Sequence, residues 1–158
     1  MKERALIRGS FFILGPMKVF LPLVLILLPA LSVAQSTIAG KWKSVDDNSG
    51  DVRSIVEVYE QAGAFYGKII RIFPRPTELP DPVCDKCDPK DARYKTKVIG
   101  MVIIRGLKKL GEEYAGGDIL DPEVGKVYRA KLWLEGKELK VRGYWGPFYR
   151  TQTWLRAD

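Results

Sequence analysis

The chain has 158 residues, with 26 Lys or Arg against 19 Asp or Glu, two cysteines and no histidine. The missing imidazole excludes Ser-His-Asp and Cys-His nucleophile arrangements, and with them any histidine general base working near neutral pH. The formal net charge of +7 reads as strongly basic, an excess that the first segment of the chain largely accounts for.

Met17 to Ser36 reads MKVFLPLVLILLPALSVAQS. Lys18 supplies a basic start, Val19 to Leu31 an apolar run, and Ser32 and Ala34 small residues at cleavage-site spacing, the three parts of a secretory signal. The apolar run carries Pro22 and Pro29 and falls short of the roughly 20 residues a spanning helix needs. The expectation is therefore a signal peptide over residues 1–34, with the true start at Met17, and transient membrane contact through that segment alone. No cysteine follows the run to carry a lipid anchor. Removing residues 1–34 takes away Lys2, Arg4, Arg8, Lys18 and Glu3, leaving 26 − 4 = 22 basic against 19 − 1 = 18 acidic residues, a net charge of +4. Such an excess, interleaved with acids, is an ordinary solvated surface, and no nucleic-acid partner is expected of an exported protein.

From Gln35 onward one domain is expected, built from short Val-, Ile-, Tyr- and Trp-rich runs separated by Gly, Asp, Asn and Pro. The predicted strands are Gly40 to Val45, Val52 to Glu60, Ala64 to Phe73 and Val98 to Arg105, then Glu113 to Leu120, Val127 to Leu134, Glu138 to Trp145 and Arg150 to Leu155. Short joints such as Gln61-Ala62-Gly63 and Glu135-Gly136-Lys137 imply antiparallel neighbours. Alternation is clear in Leu139, Val141, Gly143 and Trp145 against Lys140, Arg142 and Tyr144, although periodicity alone leaves open which set lines the interior. Eight strands in a meander expose two edges unless the sheet closes, so the predicted fold is an all-β, eight-stranded antiparallel meander closing into a barrel.

Residues 74–97 interrupt this rhythm. They hold five of the seven prolines that follow Ala34, and both cysteines, in a C-x-x-C at Cys84 and Cys87. At 24 residues the segment exceeds the roughly 12 to 15 beyond which structureless loops are uncommon. Three chemistries are open to the pair. Export favours a disulfide, which would shape the loop more than hold the fold, since closing so small a ring is worth about 2 kcal/mol at most. Redox activity normally sets the first thiolate at a helix N-terminus within a βαβ unit, and nothing here reads as that setting. Zinc wants four ligands, which without histidine would have to include Asp81, Asp85, Asp88 or Asp91, or a second chain.

Two resemblances bear on the whole. Gly40-Lys41-Trp42 opens the first strand, and the last carries Arg150 and Arg156 at its ends. This resembles the lipocalin-like, or calycin, pattern, in which a G-x-W indole at the barrel base packs under an Arg or Lys of the last strand. Further, Tyr66-Gly67-Lys68-Ile69, Cys84-Asp85-Lys86-Cys87, Gly117-Asp118-Ile119-Leu120-Asp121-Pro122, Gly125-Lys126-Val127-Tyr128, Val141-Arg142-Gly143-Tyr144 and Arg150-Thr151-Gln152-Thr153-Trp154 arrive in order. In this the chain is similar to an uncharacterised family of exported bacterial proteins, domain-of-unknown-function family 2147. It departs from that pattern at Tyr149, where a glycine is expected.

An eight-stranded barrel can hold one small ligand, so the expected function is binding of a small, largely apolar molecule in the periplasm or medium. Tyr66, Arg105, Arg142, Tyr144 and Trp145 are the candidate ligand contacts. The alternatives are a barrel filled by its own side chains, serving as an envelope or partner-binding module, and a thiol-disulfide protein. No cofactor is expected, since Gly116-Gly117 precedes a strand rather than the helix a phosphate cradle needs. Among carboxylates, Glu57, Asp118 and Asp121 could do acid-base work, but their spacing fits a strand surface and a turn start better.

Overall fold

Period-two patterning cut by turn residues yields strands of six to ten residues: β1 (Gly40–Val45), β2 (Val52–Gln61), β3 (Ala64–Ile72), β4 (Val102–Leu110), β5 (Glu113–Asp121), β6 (Lys126–Glu135), β7 (Glu138–Trp145) and β8 (Phe148–Arg156). The structure is a computed structural model, described here for residues 37–157; the expected signal peptide and the start at Met17 lie outside them. Each strand pairs antiparallel with the next, and β1 returns to β8 through Trp42↔Arg156 and Lys43↔Leu155, so the barrel closes without a free edge. Among the described residues no helix is long and apolar enough to cross a membrane.

One strand lies later than its sequence suggests. β4 begins at Val102, not Val98, because Val98 to Gly100 form a turn in which Gly100 takes φ +90° and donates to the Ile69 carbonyl. The strand then runs through Gly106, at φ +70°, and the Lys108-Lys109 pair to Leu110. The predicted strand ends at Arg105; the structure carries it on through Gly106, which serves as a bend. Gly117 on β5 is needed where the two strands approach, since a Cβ there would overlap the backbone of Arg105 to Leu107.

Register decides which alternating set is inside. Trp42 pairs with Val56, Leu132 with Val141, and Leu139 with Trp154, and all six are at most 3% exposed. Together with Ile38, Val58, Phe65, Leu107 and Tyr114 they form one continuous core. Trp42, Leu139 and Trp154 lie toward the end closed by the β2–β3, β4–β5 and β6–β7 turns. The opposite end, where β1, β3, β5 and β7 finish, carries the long 74–97 loop.

Candidate functional site

At the closed end the first strand's indole is sealed by the last strand's arginine. Trp42 is fully buried and donates its Nε1–H to the Ile38 carbonyl at 2.8 Å. The Arg156 guanidinium lies over the ring, its central carbon 4.2 Å from the centroid, and donates to the Ala39 carbonyl at 3.0 Å. Gly40 completes the arrangement: its φ is +132°, and a Cβ there would overlap Nη1 of Arg156. The G-x-W glycine therefore leaves room for the stacked guanidinium. Arg150 sits at the other end, paired with exposed Asp47 at 2.7 Å.

Above this plug the barrel is hollow. A cavity of about 750 Å³ runs to the open end, within the range that holds a drug-sized molecule. Its inner wall is apolar, with Ile69, Ile103, Ile119, Val141 and Trp154. Polar groups enter on one side, where the Ser44 and Ser54 hydroxyls bond each other at 2.6 Å, with Gln152 also on the wall. Nearer the mouth stand Tyr128, Asp121 and Arg53.

Arg53 organises that mouth. From the start of β2 it donates to the Phe73 carbonyl at 3.1 Å, to both Glu78 carboxylate oxygens and to Glu123 at 2.9 Å. It thereby ties the end of β3, the long loop and the β5–β6 turn together. Arg75 extends the network to Asp46 at 2.8 Å and to Glu78 at 3.1 Å. Burial alone would lower the Arg53 pKa, but hydrogen bonds to Glu78 and Glu123 outweigh it and raise the value. The Arg75 backbone N–H, then Arg53, hold Glu78 below the usual carboxylate range. Asp121 behaves in the opposite way: burial raises its pKa, and among the described residues it has no ion-pair partner. Among the described residues, Arg53 Nε is the buried side-chain polar atom left without a hydrogen-bond partner.

The 74–97 loop forms one wall of the opening, contributing Pro74, Leu79, Pro82 and Val83. A short antiparallel bridge pins it at the base, with Cys84 N–H donating to Thr96 and Val98 N–H to Pro82, both at 2.9 Å. Cys84 and Cys87 lie at disulfide distance, Cα atoms 5.4 Å apart, with both residues buried. Their turn is pressed against the β5–β6 turn. Gly125, at φ +72°, has no room for a Cβ beside the Lys86 carbonyl, and Lys86 Nζ donates to the Glu123 carbonyl at 3.0 Å. Asp91 forks onto Arg93, with bonds of 2.9 and 2.6 Å, and Arg93 in turn reaches the Val102 carbonyl at the start of β4. Among the described residues no three Cys, Asp or Glu side chains converge as a metal site.

Of the five candidate ligand contacts, Trp145 stands on the cavity wall, at its rim. The other four lie outside, and parity is the reason. Val141 and Gly143 face in, so Arg142 and Tyr144 face out, where Arg142 lies over Trp133 and Tyr149 and bonds Thr151. Ile104 pairs with cavity-lining Ile119, which turns Arg105 and its partner Asp118 outward into an ion pair of 3.1 Å. Tyr66 stacks on Tyr59 on the outer face, and Glu57 pairs there with Lys68 at 3.7 Å. Residues the sequence reading passed over, Ser44, Ser54, Gln152 and Arg53, take the inner positions. The signal that could find them is cross-strand register with the buried Trp42, Val56 and Val58.

A closed eight-stranded antiparallel barrel, plugged at one end by a Trp under an Arg and open to a cavity at the other, defines a lipocalin-like fold. The fold is shared with protein HP1028 of Helicobacter pylori, described as belonging to the lipocalin family. That likeness has a TM-score of 0.64 at 22% identity and covers 77% of this chain and 84% of the other. The chain belongs to the bacterial family DUF2147, described as uncharacterized protein conserved in bacteria, whose profile it matches over residues 40–156. No curated protein matches it.

Proposed function

We propose that this protein is an exported carrier that holds one small apolar or amphipathic molecule inside its barrel. The observation that carries the reading is the cavity of about 750 Å³, which reaches from Val141 and Trp154 inside the barrel to the 74–97 loop and the Trp145–Phe148 rim at its mouth. A barrel filled by its own side chains has no such volume. The wall composition fits an amphipathic guest, apolar at depth and hydrogen-bonding along Ser44, Ser54 and Gln152. Buried cysteines at disulfide distance in a bacterial family support an extracytoplasmic setting, and with the Met17 to Ala34 pattern we place the mature protein in the periplasm or medium.

A thiol-disulfide role has less support. Cys84 and Cys87 are 0% and 3% exposed and sit in a loop turn, out of reach of an attacking thiolate. A protein partner at the mouth draws support from exposed Leu79, Trp145 and Phe148 around the opening, the same residues a ligand crosses on entry. The test is extraction and mass analysis of protein purified from its native host. A stoichiometric small molecule lost on denaturation is the expected result, and its absence together with failure to bind any neutral fluorescent probe would return the partner reading to first place.

A further inference from the structure

The charges around the cavity discriminate between head groups, and they do so by what is already occupied. Five carboxylate side chains stand on its wall against three cations, Arg53, Lys86 and Arg150. Each of those cations is engaged. Arg53 holds Glu78 and Glu123, Arg150 holds Asp47, and Lys86 donates to a backbone carbonyl. Among the described residues an anionic head group would find no free cation on the cavity wall, the Lys126 ammonium at the rim lying over the Trp145 ring, and the leftover Arg53 Nε–H belongs to a guanidinium already shared by two carboxylates. By contrast, Asp121 forms no salt bridge among the described residues, and Arg150, held by Asp47, acts on it only from a distance.

The rim beside Asp121 is aromatic. Trp145 and Phe148 are each 67% exposed, with ring centroids 6.4 Å apart. Register places them on one stretch of the opening: Asp121 pairs with Lys126 across the β5–β6 turn, and the Lys126 ammonium lies 5.5 Å from the Trp145 ring centroid. That contact shows the Trp145 face already attracting a cation, because the ring quadrupole is negative on its face.

We propose that the cavity selects amphipathic molecules whose head is a cation, in chemical terms an alkylammonium, over those ending in a carboxylate, with Asp121 and the Trp145–Phe148 rim receiving the head. The inference rests on the carrier reading above and specifies its guest. An alkyl chain lies along Ile69, Ile103 and Val141 while the ammonium stays at the mouth, where it meets a carboxylate and a π face and keeps part of its hydration.

The experiment is displacement of the neutral probe N-phenyl-1-naphthylamine by three guests of equal chain length, dodecyltrimethylammonium, dodecanol and dodecanoate, each below its micelle concentration. One partly exposed ion pair together with one cation–π contact predicts the ammonium binding about tenfold tighter than the carboxylate, with the alcohol between. Asp121→Asn should shrink the ammonium-to-dodecanol ratio severalfold, and Trp145→Leu should shrink it through a different contact, the ratio cancelling any loss of binding common to both guests. Lys126→Ala, which frees the Trp145 face, should tighten the ammonium. Thermal melting of each variant checks that it folds. Dodecanoate binding as well as or better than the ammonium overturns the proposal while leaving the carrier reading intact. An ammonium preference untouched by both Asp121→Asn and Trp145→Leu overturns the assignment of the head-group site. If the probe itself does not bind the parent, the carrier reading fails and this inference falls with it.

Discussion

Arg156→Ala tests the closed end of the barrel. The guanidinium covers a fully buried indole at 4.2 Å and donates to the Ala39 carbonyl at 3.0 Å. Arg156 is itself exposed, so its cation–π contact is worth about 1 kcal/mol and its charge-assisted hydrogen bond about 1.5. Because the two contributions share one group, about 2 kcal/mol in total is the reasonable loss. For a domain of this size about 4 °C of melting temperature follows each kcal/mol, so a drop of about 8 °C is expected, with a weakened near-ultraviolet signal from Trp42. Arg150→Ala is the matched control. Its pair with Asp47 is exposed by 63% and 36%, so its loss is expected to cost about 1 kcal/mol or less. Circular dichroism melts of the parent and both variants suffice. Equal melting shifts for the two arginines, or an Arg156→Ala melt within about 2 °C of the parent, would refute the reasoning.

Three further outcomes are expected. The Arg93 guanidinium holds Asp91 well below the ordinary carboxylate range, so the pair stabilises the fold above the unfolded-state pKa of about 4 and that contribution fades as pH falls below it. Asp91→Asn should cost about 3 kcal/mol at pH 7, since it leaves Arg93 buried without its partner, and should flatten the melting curve's dependence on pH between about 2 and 4. Gly125→Ala must force a left-handed φ, at about 1–2 kcal/mol, and push the Lys86 carbonyl away. It should therefore raise the rate of limited proteolysis within residues 74–97 more than elsewhere. Protein taken from its native compartment should show no free thiol before or after unfolding; two reactive thiols would remove the disulfide.

The architecture was legible because turn chemistry and period-two alternation are local. Gln61-Ala62-Gly63 and Glu135-Gly136-Lys137 mark their hairpins as clearly in the structure as in the sequence, and Ala62 and the following Gly63 do take positive φ. The start of β4 was less so, because Val98 and Met101 are apolar for burial in a turn rather than in a strand. Tyr149, where a glycine was expected, is accommodated because the chain reverses earlier, at Gly146 with φ +55°; its ring then lies outside under Arg142. The site was harder to read. Arg142, Tyr144 and Tyr66 have the chemistry of ligand contacts but the wrong parity, and parity follows from register with strands that a single sequence does not align. The Arg53 network joins residues from positions 46 to 123, a convergence that exists only after closure.

A plug inside the barrel tests most directly whether the interior is a binding cavity. Gln152 stands on the cavity wall, and its one side-chain bond, from Trp154 Nε1, is long at 3.4 Å. Gln152→Trp should fill the space without disturbing the core. Titration of N-phenyl-1-naphthylamine into the full mature protein should give saturable fluorescence that Gln152→Trp weakens by about tenfold or more, a change of about 1.4 kcal/mol. The outer-face variant Arg142→Ala should leave that binding unchanged. Saturable binding of equal strength in the parent and in a well-folded Gln152→Trp, or none in the parent, would show that the interior is not a binding cavity.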